Sequence, residues 1–330
     1  MVGQHVDAHI NKLPILILYP HSRCNCRCVM CDIWKVTNSE EISEAELRRH
    51  LEDIESLGVE QVVFSGGEPL MHSDLFRLAT LLRERSIATT LLTTALLLER
   101  DADKVGESID EVIVSLDGPA AIHDEIRRVP NAFYKLAAGV SCVTERFSTP
   151  VHARCTVQRR NRRALCETVE AAGVIGVHSI SFLAADLTSE AFNRPTALPS
   201  DRQMDLAPNI DELAELEEEI ETLISEYVDD IAEGFIREDG FKLRRIVKHY
   251  RAHHLLEEPV APQCNAPWVS AVVESDGTVR PCFFHRPVGN VRDGLEAVVN
   301  GPVARSFREG LDVASNATCR RCVCSLIHRA

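Results

Sequence analysis

The chain has 330 residues, of which 45% are hydrophobic, so it is long enough to bury one large domain and a smaller one. Its formal net charge of -14 argues against a nucleic-acid partner, because surfaces that coat phosphates depend on clustered Lys and Arg. A membrane partner is also not expected, since no stretch approaches roughly 20 apolar residues and the N-terminus lacks the order of a signal peptide.

Six apolar strand patterns alternate with amphipathic helical patterns in the first half of the chain. In chain order the strand patterns are Ile15–Tyr19, Gln61–Phe64, Thr89–Thr93, Glu111–Ser115, Val151–Val157 and Ser179–Leu183. Ser43 and Glu46 form a capping box at the start of the first helical pattern. Repeated strand–helix units predict an α/β fold with a parallel sheet. Six units fit a partial (β/α)6 barrel, in which functional residues lie at the C-terminal ends of the strands.

The pattern changes after Leu183, where a polar and Pro-rich linker leads into an acidic helix and then a basic helix. The linker covers residues 186–208, and the two helices cover 211–231 and 241–254. Their charges are interpreted most simply as solvated helix faces. The alternative is substrate recognition by a basic cluster of Arg244, Arg245, His249 and His253.

Near the C-terminus, two further strand patterns flank Ser275-Asp276-Gly277, which is a strong hairpin signal. These strands cover Val269–Glu274 and Thr278–Phe283. The sequence therefore predicts three parts: a barrel over 1–185, a helical segment over 186–260 and a small β-hairpin domain over 261–330.

Twelve cysteines in a chain without a signal-peptide pattern indicate metal ligation in a reducing cytoplasm, because disulfides belong to small secreted domains. Cys142, Cys155 and Cys166 lie apart from the others and are interpreted as core residues. The remaining cysteines form two groups, one directly after the first strand and one near the C-terminus.

In the first group, Cys24, Cys28 and Cys31 place three thiolates on one short loop. Three ligands leave one iron of a 4Fe-4S cluster open to a small molecule. Structural zinc is the alternative, with His21 or Cys26 as the fourth ligand. Cys26 is otherwise interpreted as pointing away from the cluster.

This loop resembles the signature of the radical S-adenosylmethionine (SAM) superfamily, and further segments after later strands agree with it. Gly66-Gly67-Glu68-Pro69 follows the second strand, and the resemblance implies contact with the methionine amino group. Ser115-Leu116-Asp117-Gly118-Pro119 follows the fourth strand and resembles the segment that contacts the ribose and methionyl part. The implied cofactor-binding residues are Met30, Gly66, Gly67, Glu68, Ser115, Asp117 and Arg154, the last at the position that holds the methionine carboxylate.

The turn after the third strand departs from the family pattern. Many members carry Thr-Asn-Gly there, whereas this chain has Thr93-Thr94-Ala95, which puts a polar contact from this turn in doubt. Arg127 and Arg128, which follow His123, resemble family segments near the substrate. These three are the candidate catalytic residues, with surface arginines on a helix end as the alternative.

In the second group, Cys264 and Cys282 flank the predicted hairpin, and Cys319 and Cys322 form a Cys-x2-Cys turn. Four thiolates suit either zinc or an iron–sulfur cluster. The spacing resembles the shortened "twitch" form of the SPASM extension, which implies one auxiliary 4Fe-4S cluster. Cys324 is an alternative ligand to Cys319 or Cys322.

The resemblance implies an enzyme that cleaves SAM to a 5'-deoxyadenosyl radical, which takes a hydrogen atom from a small-molecule substrate. We expect oxidation of that substrate, with the auxiliary cluster accepting the second electron and a flavodoxin or ferredoxin as electron donor. One alternative is a peptide maturase, or an epimerase that uses the thiol of Cys155 or Cys26. An alternative of another class is a zinc-bound module without catalysis.

Overall fold

The computed structural model describes residues 8–194 and 196–329, and nine strands of this part form one sheet. The strands are β1 Ile15–Leu18, β2 Gln61–Phe64, β3 Ala88–Thr93, β4 Glu111–Ser115, β5 Val151–Val157, β6 Ser179–Ala184, β7 Ser270–Val273, β8 Thr278–Arg280 and β9 Gly289–Asn290. Their order is β6-β5-β4-β3-β2-β1-β7-β8-β9. Strands β1 to β6 are parallel to their neighbours, so the open sheet is a partial barrel and the predicted fold class is confirmed.

The helices of the described residues fall into three groups along the chain. Those between the barrel strands are α1 Glu44–Ser56, α2 Leu75–Arg83, α3 Leu98–Ser108, α4 Ala120–Arg127, α5 Ala132–Arg146 and α6 Leu165–Ile175. Four follow β6: α7 Ser200–Leu206, α8 Ile210–Glu226, α9 Val228–Glu233 and α10 Gly240–His253. The last four are α11 Ala266–Val269, α12 Leu295–Val299, α13 Pro302–Glu309 and α14 Ala317–Arg320. No helix of this part is long and apolar enough to cross a membrane.

The core lies between one face of the barrel sheet and the helices that cover it. On β4, Val112 and Val114 are fully buried against this layer, while Ser115 belongs to the other, concave face. The capping box at Ser43 begins α1, whose buried side chains join the same core. Because buried and less buried side chains alternate along the strands, polar side chains lie on the concave face, where the strand ends converge.

Two helical boundaries differ from the prediction. Tyr227 leaves the helical conformation (φ −109°, ψ 34°), so the predicted acidic helix is divided into α8 and α9. The predicted linker contains α7, whose buried residue is Leu206. One buried apolar residue leaves too short a pattern for a helix to be identified from sequence.

The C-terminal hairpin continues the barrel sheet. β7 pairs in parallel with β1, with Ile15 opposite Ser270 and Leu18 opposite Val273, and β8 returns antiparallel to β7. Gly277 takes a positive φ of 86° in the connecting turn, as the Asp-Gly signal predicts. The second cysteine group therefore lies beside β1, the strand that leads into the first cysteine group. The three-part division of the chain stays a prediction.

Candidate active site

The loop after β1 carries Cys24, Cys28 and Cys31 and is held against two other elements. The backbone N–H groups of Arg27 and Val29 donate to carbonyls at the end of α4, over 3.2 and 3.1 Å. On the other side, Glu68 N donates to Arg23 O at 2.9 Å. A Cβ on Gly67 would lie 1.9 Å from this same carbonyl, so the close approach requires glycine.

The three thiols of this loop lie close enough to interact electrostatically. Burial, with a smaller contribution from the neighbouring Cys28, raises the pKa of Cys24 and of Cys31 to about 12. Cys28 differs, since a hydrogen bond from the Cys26 thiol and the charge of Arg127 lower its pKa to about 6. Cys26 is itself buried and directed at Cys28. One loop thus offers three sulfur donors in a partly cationic setting, which fits an iron–sulfur cluster.

The donor set of this loop suits either of the two expected metal groups. Three thiols with the buried Cys26 thiol beside them could ligate zinc, and three thiols alone leave one iron of a 4Fe-4S cluster open.

The carboxylate of Glu68 is fully buried, and hydrogen bonds surround it. Its Oε1 accepts from Thr93 Oγ1 at 2.7 Å and from Leu70 N at 3.0 Å. Its Oε2 accepts from Thr94 N and Thr94 Oγ1, both at 2.6 Å. The turn after β3 therefore does make polar contacts, but with Glu68. Because four donors occupy a carboxylate's roughly four acceptor positions, Glu68 orders the turn.

Thr94→Val is expected to lower the free energy of unfolding by about 1.5–3 kcal/mol, because it removes a buried hydrogen bond to a carboxylate. Urea unfolding of the anaerobic protein measures this. Thr144→Val is a matched control, since the Thr144 hydroxyl bonds only backbone carbonyls of its own helix. Equal effects of the two substitutions would contradict the importance of the Glu68 contact.

Asp117 and Arg127 form a buried ion pair next to the cysteine loop. Arg127 Nη2 lies 2.6 Å from Asp117 Oδ2, and the two side chains are 9% and 0% exposed. Arg127 Nη1 also donates to Cys28 Sγ at 3.5 Å. Asp117 Oδ1 accepts from Thr156 N at 2.9 Å, which ties β4 to β5. Arg127 thus links a predicted cluster ligand to a predicted cofactor contact.

The other two candidate catalytic residues occupy different environments. His123 is buried; its Nδ1 accepts from Asp117 N at 3.2 Å and its Nε2 has no described partner. Burial and the charge of Arg127 lower the pKa of His123 to about 3, so the ring is neutral. Arg128 is exposed and ends α4 in the left-handed conformation.

The remaining predicted cofactor contacts lie near the concave face. Ser115 and Arg154 are direct neighbours in the β4–β5 register, and Arg154 is exposed there. The thioether of Met30 lies 3.9 Å from Gln158 Nε2. Gly66 has a φ of 95°, and a Cβ on it would meet the Tyr19 ring at 2.6 Å. The structure therefore gathers these residues around the strand ends.

The five C-terminal cysteines also form one group, centred on Cys264. The thiols of Cys282, Cys319, Cys322 and Cys324 each interact electrostatically with Cys264. The Cys324 thiol also interacts electrostatically with Arg154 on β5 and with Asp186, just beyond β6. The set exceeds the four thiolates that a cluster needs and borders the open end of the barrel.

Several further contacts between distant parts of the chain hold this site together. Arg202 on α7 pairs with Asp32 at 2.7 Å and donates to Val29 O at 3.0 Å, which fixes the first cysteine loop. The Asn161 amide donates to Asp117 O at 2.9 Å, and His285 Nε2 lies 3.4 Å from Cys319 Sγ. No sequence signal marks these pairs, because their partners are distant in the chain.

Comparison with known proteins gives two family matches. The radical SAM superfamily profile matches residues 18–171, and the SPASM profile, an iron–sulfur cluster-binding domain, matches residues 264–323. Together they assign 4Fe-4S clusters and SAM as the cofactors.

Several curated proteins are similar over part of the chain. Fe-coproporphyrin III synthase of Methanosarcina barkeri is 29% identical over 58% of this chain and 50% of its own length. Pre-heme d1 synthase of Dinoroseobacter shibae is 35% identical over 48% of this chain and 40% of its own length. PqqA peptide cyclase of Rhodopseudomonas palustris is 30% identical over 48% of this chain and 43% of its own length. The matches span half or less of these relatives.

Solved structures share the fold across most of the chain. SuiB of Streptococcus suis bound to S-adenosylmethionine has a TM-score of 0.65 at 18% identity, covering 96% of this chain and 74% of that one. The enzyme anSMEcpe with bound AdoMet has a TM-score of 0.66 at 19% identity, covering 93% and 86%. With these matches, the chain belongs to the radical SAM superfamily and carries a SPASM domain at residues 264–323.

Proposed function

We propose that this chain oxidises a small-molecule substrate by removing a hydrogen atom from carbon and passing the second electron to the C-terminal cluster. The observation that carries this proposal is the position of the C-terminal thiols. Cys324 interacts with Cys264 of that group and also with Arg154 and Asp186, which lie on or next to the strand ends that carry the predicted SAM contacts. A second redox group at that place suits collection of an electron from substrate.

A single electron donor is enough to balance the electrons and protons of such an oxidation. A cluster held by Cys24, Cys28 and Cys31 would, with one electron from a flavodoxin or ferredoxin, supply the cleavage of SAM to methionine and a 5'-deoxyadenosyl radical. For a hydroxyl carbon, the hydrogen atom goes to that radical, one electron goes to the C-terminal cluster and one proton goes to solvent. The substrate becomes a carbonyl. We place this chemistry in a reducing compartment, the cytoplasm, which keeps the thiols free.

We assign Cys24, Cys28 and Cys31 to the SAM-binding cluster and Cys264, Cys282, Cys319 and Cys322 to the second cluster. Among the cofactor contacts, Ser115 and Arg154 are accessible on the concave face and are suited to touch SAM directly. Gly66 leaves room for the Tyr19 ring and Gly67 for the Arg23 carbonyl, so both shape the loop beside the proposed cofactor site. Met30 lies in the cysteine loop after β1. Glu68 and Asp117 are fully buried and already bonded, so they position these groups.

None of the three candidate catalytic residues is a strong base in this environment. The ion pair with Asp117 holds the pKa of Arg127 above its ordinary value, and Arg128 is exposed. His123 has a free ring nitrogen but a pKa near 3. We therefore propose that Arg127 positions Cys28 and Asp117, and that His123 supports the turn after β4 through Asp117 N.

The curated relatives support a small-molecule substrate. Two of them are named as synthases of Fe-coproporphyrin III and pre-heme d1. PqqA peptide cyclase favours a second candidate, a peptide substrate. Because the matches cover half or less of each relative, the relatives' own substrates are not transferred. The match to an iron–sulfur cluster-binding domain makes the zinc-bound module the weakest of the three interpretations.

Cys282→Ala with Cys319→Ala is expected to separate the two half-reactions. The double variant loses half of the iron yet still forms 5'-deoxyadenosine, whereas oxidised product falls at least about tenfold because the second electron has no acceptor. The measurements are iron content, 5'-deoxyadenosine and product, with reduced enzyme, SAM and candidate metabolites under anaerobic conditions.

Cys142→Ala with Cys166→Ala is the matched control, since both residues lie on outer helices away from the two cysteine groups. The proposal is wrong if the Cys282 and Cys319 variant makes oxidised product at the wild-type rate. Turnover of a peptide but of no small molecule would establish the second candidate instead.

A further inference from the structure

Two side chains with N–H donors lie against the C-terminal cysteine group. Arg245 on α10 is half-buried, and its Nη2 donates to Cys322 O at 2.5 Å. His285 is buried, and its Nε2 lies 3.4 Å from Cys319 Sγ. N–H donors and positive charge next to an iron–sulfur cluster raise its midpoint potential, because they stabilise the more negative, reduced state. Both residues therefore bear on how readily a cluster held by these cysteines accepts an electron.

The charge of Arg245 is not neutralised by a carboxylate. In the part of the chain that the structure describes, Arg245 forms no ion pair, whereas the preceding Arg244 contacts Glu221 at 2.6 Å. The Arg245 guanidinium instead interacts electrostatically with three thiols of the C-terminal group, those of Cys322, Cys324 and Cys264. Because arginine stays protonated in proteins, a fixed positive charge faces these sulfurs.

The helix that carries Arg245 is fixed to the barrel. Tyr250 of α10 is fully buried, and its hydroxyl donates to Val157 O at 2.6 Å and accepts from Ala185 N at 3.0 Å. These bonds join α10 to the C-terminal end of β5 and to the residue that follows β6. The position of the guanidinium beside the thiols is therefore set by the fold.

The contacts of His285 direct its ring at the same cysteine group. The ring packs edge-on against Phe307, with 4.8 Å between the ring centres. Backbone hydrogen bonds from Phe284 and His285 partly offset the burial that raises the pKa of Cys282 to about 12. A sulfur that binds iron carries no proton, so in the loaded protein Nε2 of His285 is the donor and Cys319 Sγ the acceptor. His285 thus contacts two of the four proposed ligands of the second cluster.

The first cysteine group has a different electrostatic environment. Its buried cation, Arg127, donates to Cys28 Sγ at 3.5 Å but also lies 2.6 Å from the carboxylate of Asp117. That ion pair is neutral as a whole, whereas Arg245 has no such partner. Since net charge is one of the properties that set a cluster's potential, the difference favours an electron on the C-terminal cluster.

Two carboxylates near the C-terminal thiols do not cancel the charge of Arg245. Asp186, which interacts with Cys324, is buried in an ion pair with Arg194. Asp312, which interacts with Cys319, is exposed, so water and salt screen its charge. The positive charge of Arg245 therefore remains unbalanced.

We propose that Arg245 and His285 hold the midpoint potential of the C-terminal cluster above that of the SAM-binding cluster, so that the C-terminal cluster takes the electron released by the substrate. Arg245 acts by its charge and His285 by its N–H donor. In this step the substrate radical loses one electron and one proton, the cluster is reduced by that electron, and the proton goes to solvent. The inference rests on the proposed function, because an acceptor is required only if the substrate is oxidised.

Redox titration of the anaerobically reconstituted enzyme, followed by electron paramagnetic resonance, tests this inference. Added SAM identifies the SAM-binding cluster, because only the signal of that cluster changes. Arg245→Gln removes the charge but keeps an N–H group, and Arg245→Lys keeps the charge. His285→Phe removes the donor but keeps a ring against Phe307, and His285→Gln keeps a donor. Arg244→Met is the matched control, since Arg244 is exposed and paired with Glu221.

Arg245→Gln is expected to shift the equilibrium between the oxidised and reduced C-terminal cluster about tenfold toward the oxidised form, or about 59 mV for one electron. His285→Phe shifts it in the same direction by less, because it removes a donor without a charge. Arg245→Lys, His285→Gln and Arg244→Met keep potentials close to that of the wild type. All five variants keep their full iron content, and the potential of the SAM-binding cluster does not change.

An unchanged potential of the C-terminal cluster in Arg245→Gln would overturn the role of its charge, and in His285→Phe it would overturn the role of the donor. Loss of half of the iron in either variant would also overturn the inference, since the residue would then hold the cluster and not set its potential. Formation of 5'-deoxyadenosine by the wild-type enzyme is measured on the same preparation. Its absence would refute the proposed function without affecting the measured potentials.

Discussion

Replacing Cys24, Cys28 and Cys31 together by alanine is expected to reduce 5'-deoxyadenosine formation at least about a thousandfold, because the radical chemistry belongs entirely to the cofactor. The reconstituted variant should retain half of the wild-type iron, held by the C-terminal cysteines. The thiols of this loop interact with one another, and those of the C-terminal group interact with Cys264, so the two clusters are expected to assemble independently. Iron and sulfide analysis and product chromatography give the two readouts.

Cys142→Ala with Cys166→Ala is again the control, and full iron and activity are expected of it. A loop variant that keeps all of its iron would contradict the ligand assignment. One that loses half of its iron but still cleaves SAM would show that the C-terminal cysteines hold the SAM-binding cluster.

Local sequence signals predict the barrel well. Strand β2 has its predicted bounds, and the capping box at Ser43 and Glu46 forms as expected. Alternating burial along β4 follows directly from the apolar pattern. These features depend on residues within a few positions of each other, so a single sequence contains the information that specifies them.

Contacts between distant segments could not be predicted in this way. The parallel pairing of β7 with β1 joins strands about 250 residues apart and has no short-range signal. The turn at Thr93 and Thr94 is a further example. Its hydroxyls bond Glu68, a partner that only the folded sheet brings near. The turn that departs from the family motif therefore does make polar contacts, and Glu68 accepts them.

The family resemblance of the cysteine loop predicts the position of some residues better than their role. It indicated which residues gather at the strand ends, and the structure does bring Ser115 and Arg154 together. It also implies a catalytic role for Arg127, which stays a prediction. A guanidinium enclosed between a thiol and a carboxylate is an ion-pair partner, and its environment becomes visible only when α4 packs on the loop.

Arg127→Met is expected to lower the free energy of unfolding by about 3–5 kcal/mol, because it leaves the fully buried carboxylate of Asp117 without its counter-charge. Arg127→Met combined with Asp117→Leu removes both charges and should be less damaging than the single change. Arg128→Met, at the adjacent exposed position, should change stability by no more than about 0.5 kcal/mol. Urea unfolding of the three proteins under anaerobic conditions measures these differences.

A second readout separates the contact with Cys28 from general stability. The N–H donor and positive charge of Arg127 favour the more negative, reduced form of a cluster held by Cys28, so the midpoint potential of that cluster should become more negative in Arg127→Met. Arg127→Lys keeps the charge but cannot reach both Cys28 and Asp117 with a planar fork, and an intermediate potential is expected. An unchanged potential in both variants would show that Arg127 serves Asp117 alone. If Arg127→Met lost no more stability than Arg128→Met, the ion pair of Arg127 with Asp117 would not stabilise the site.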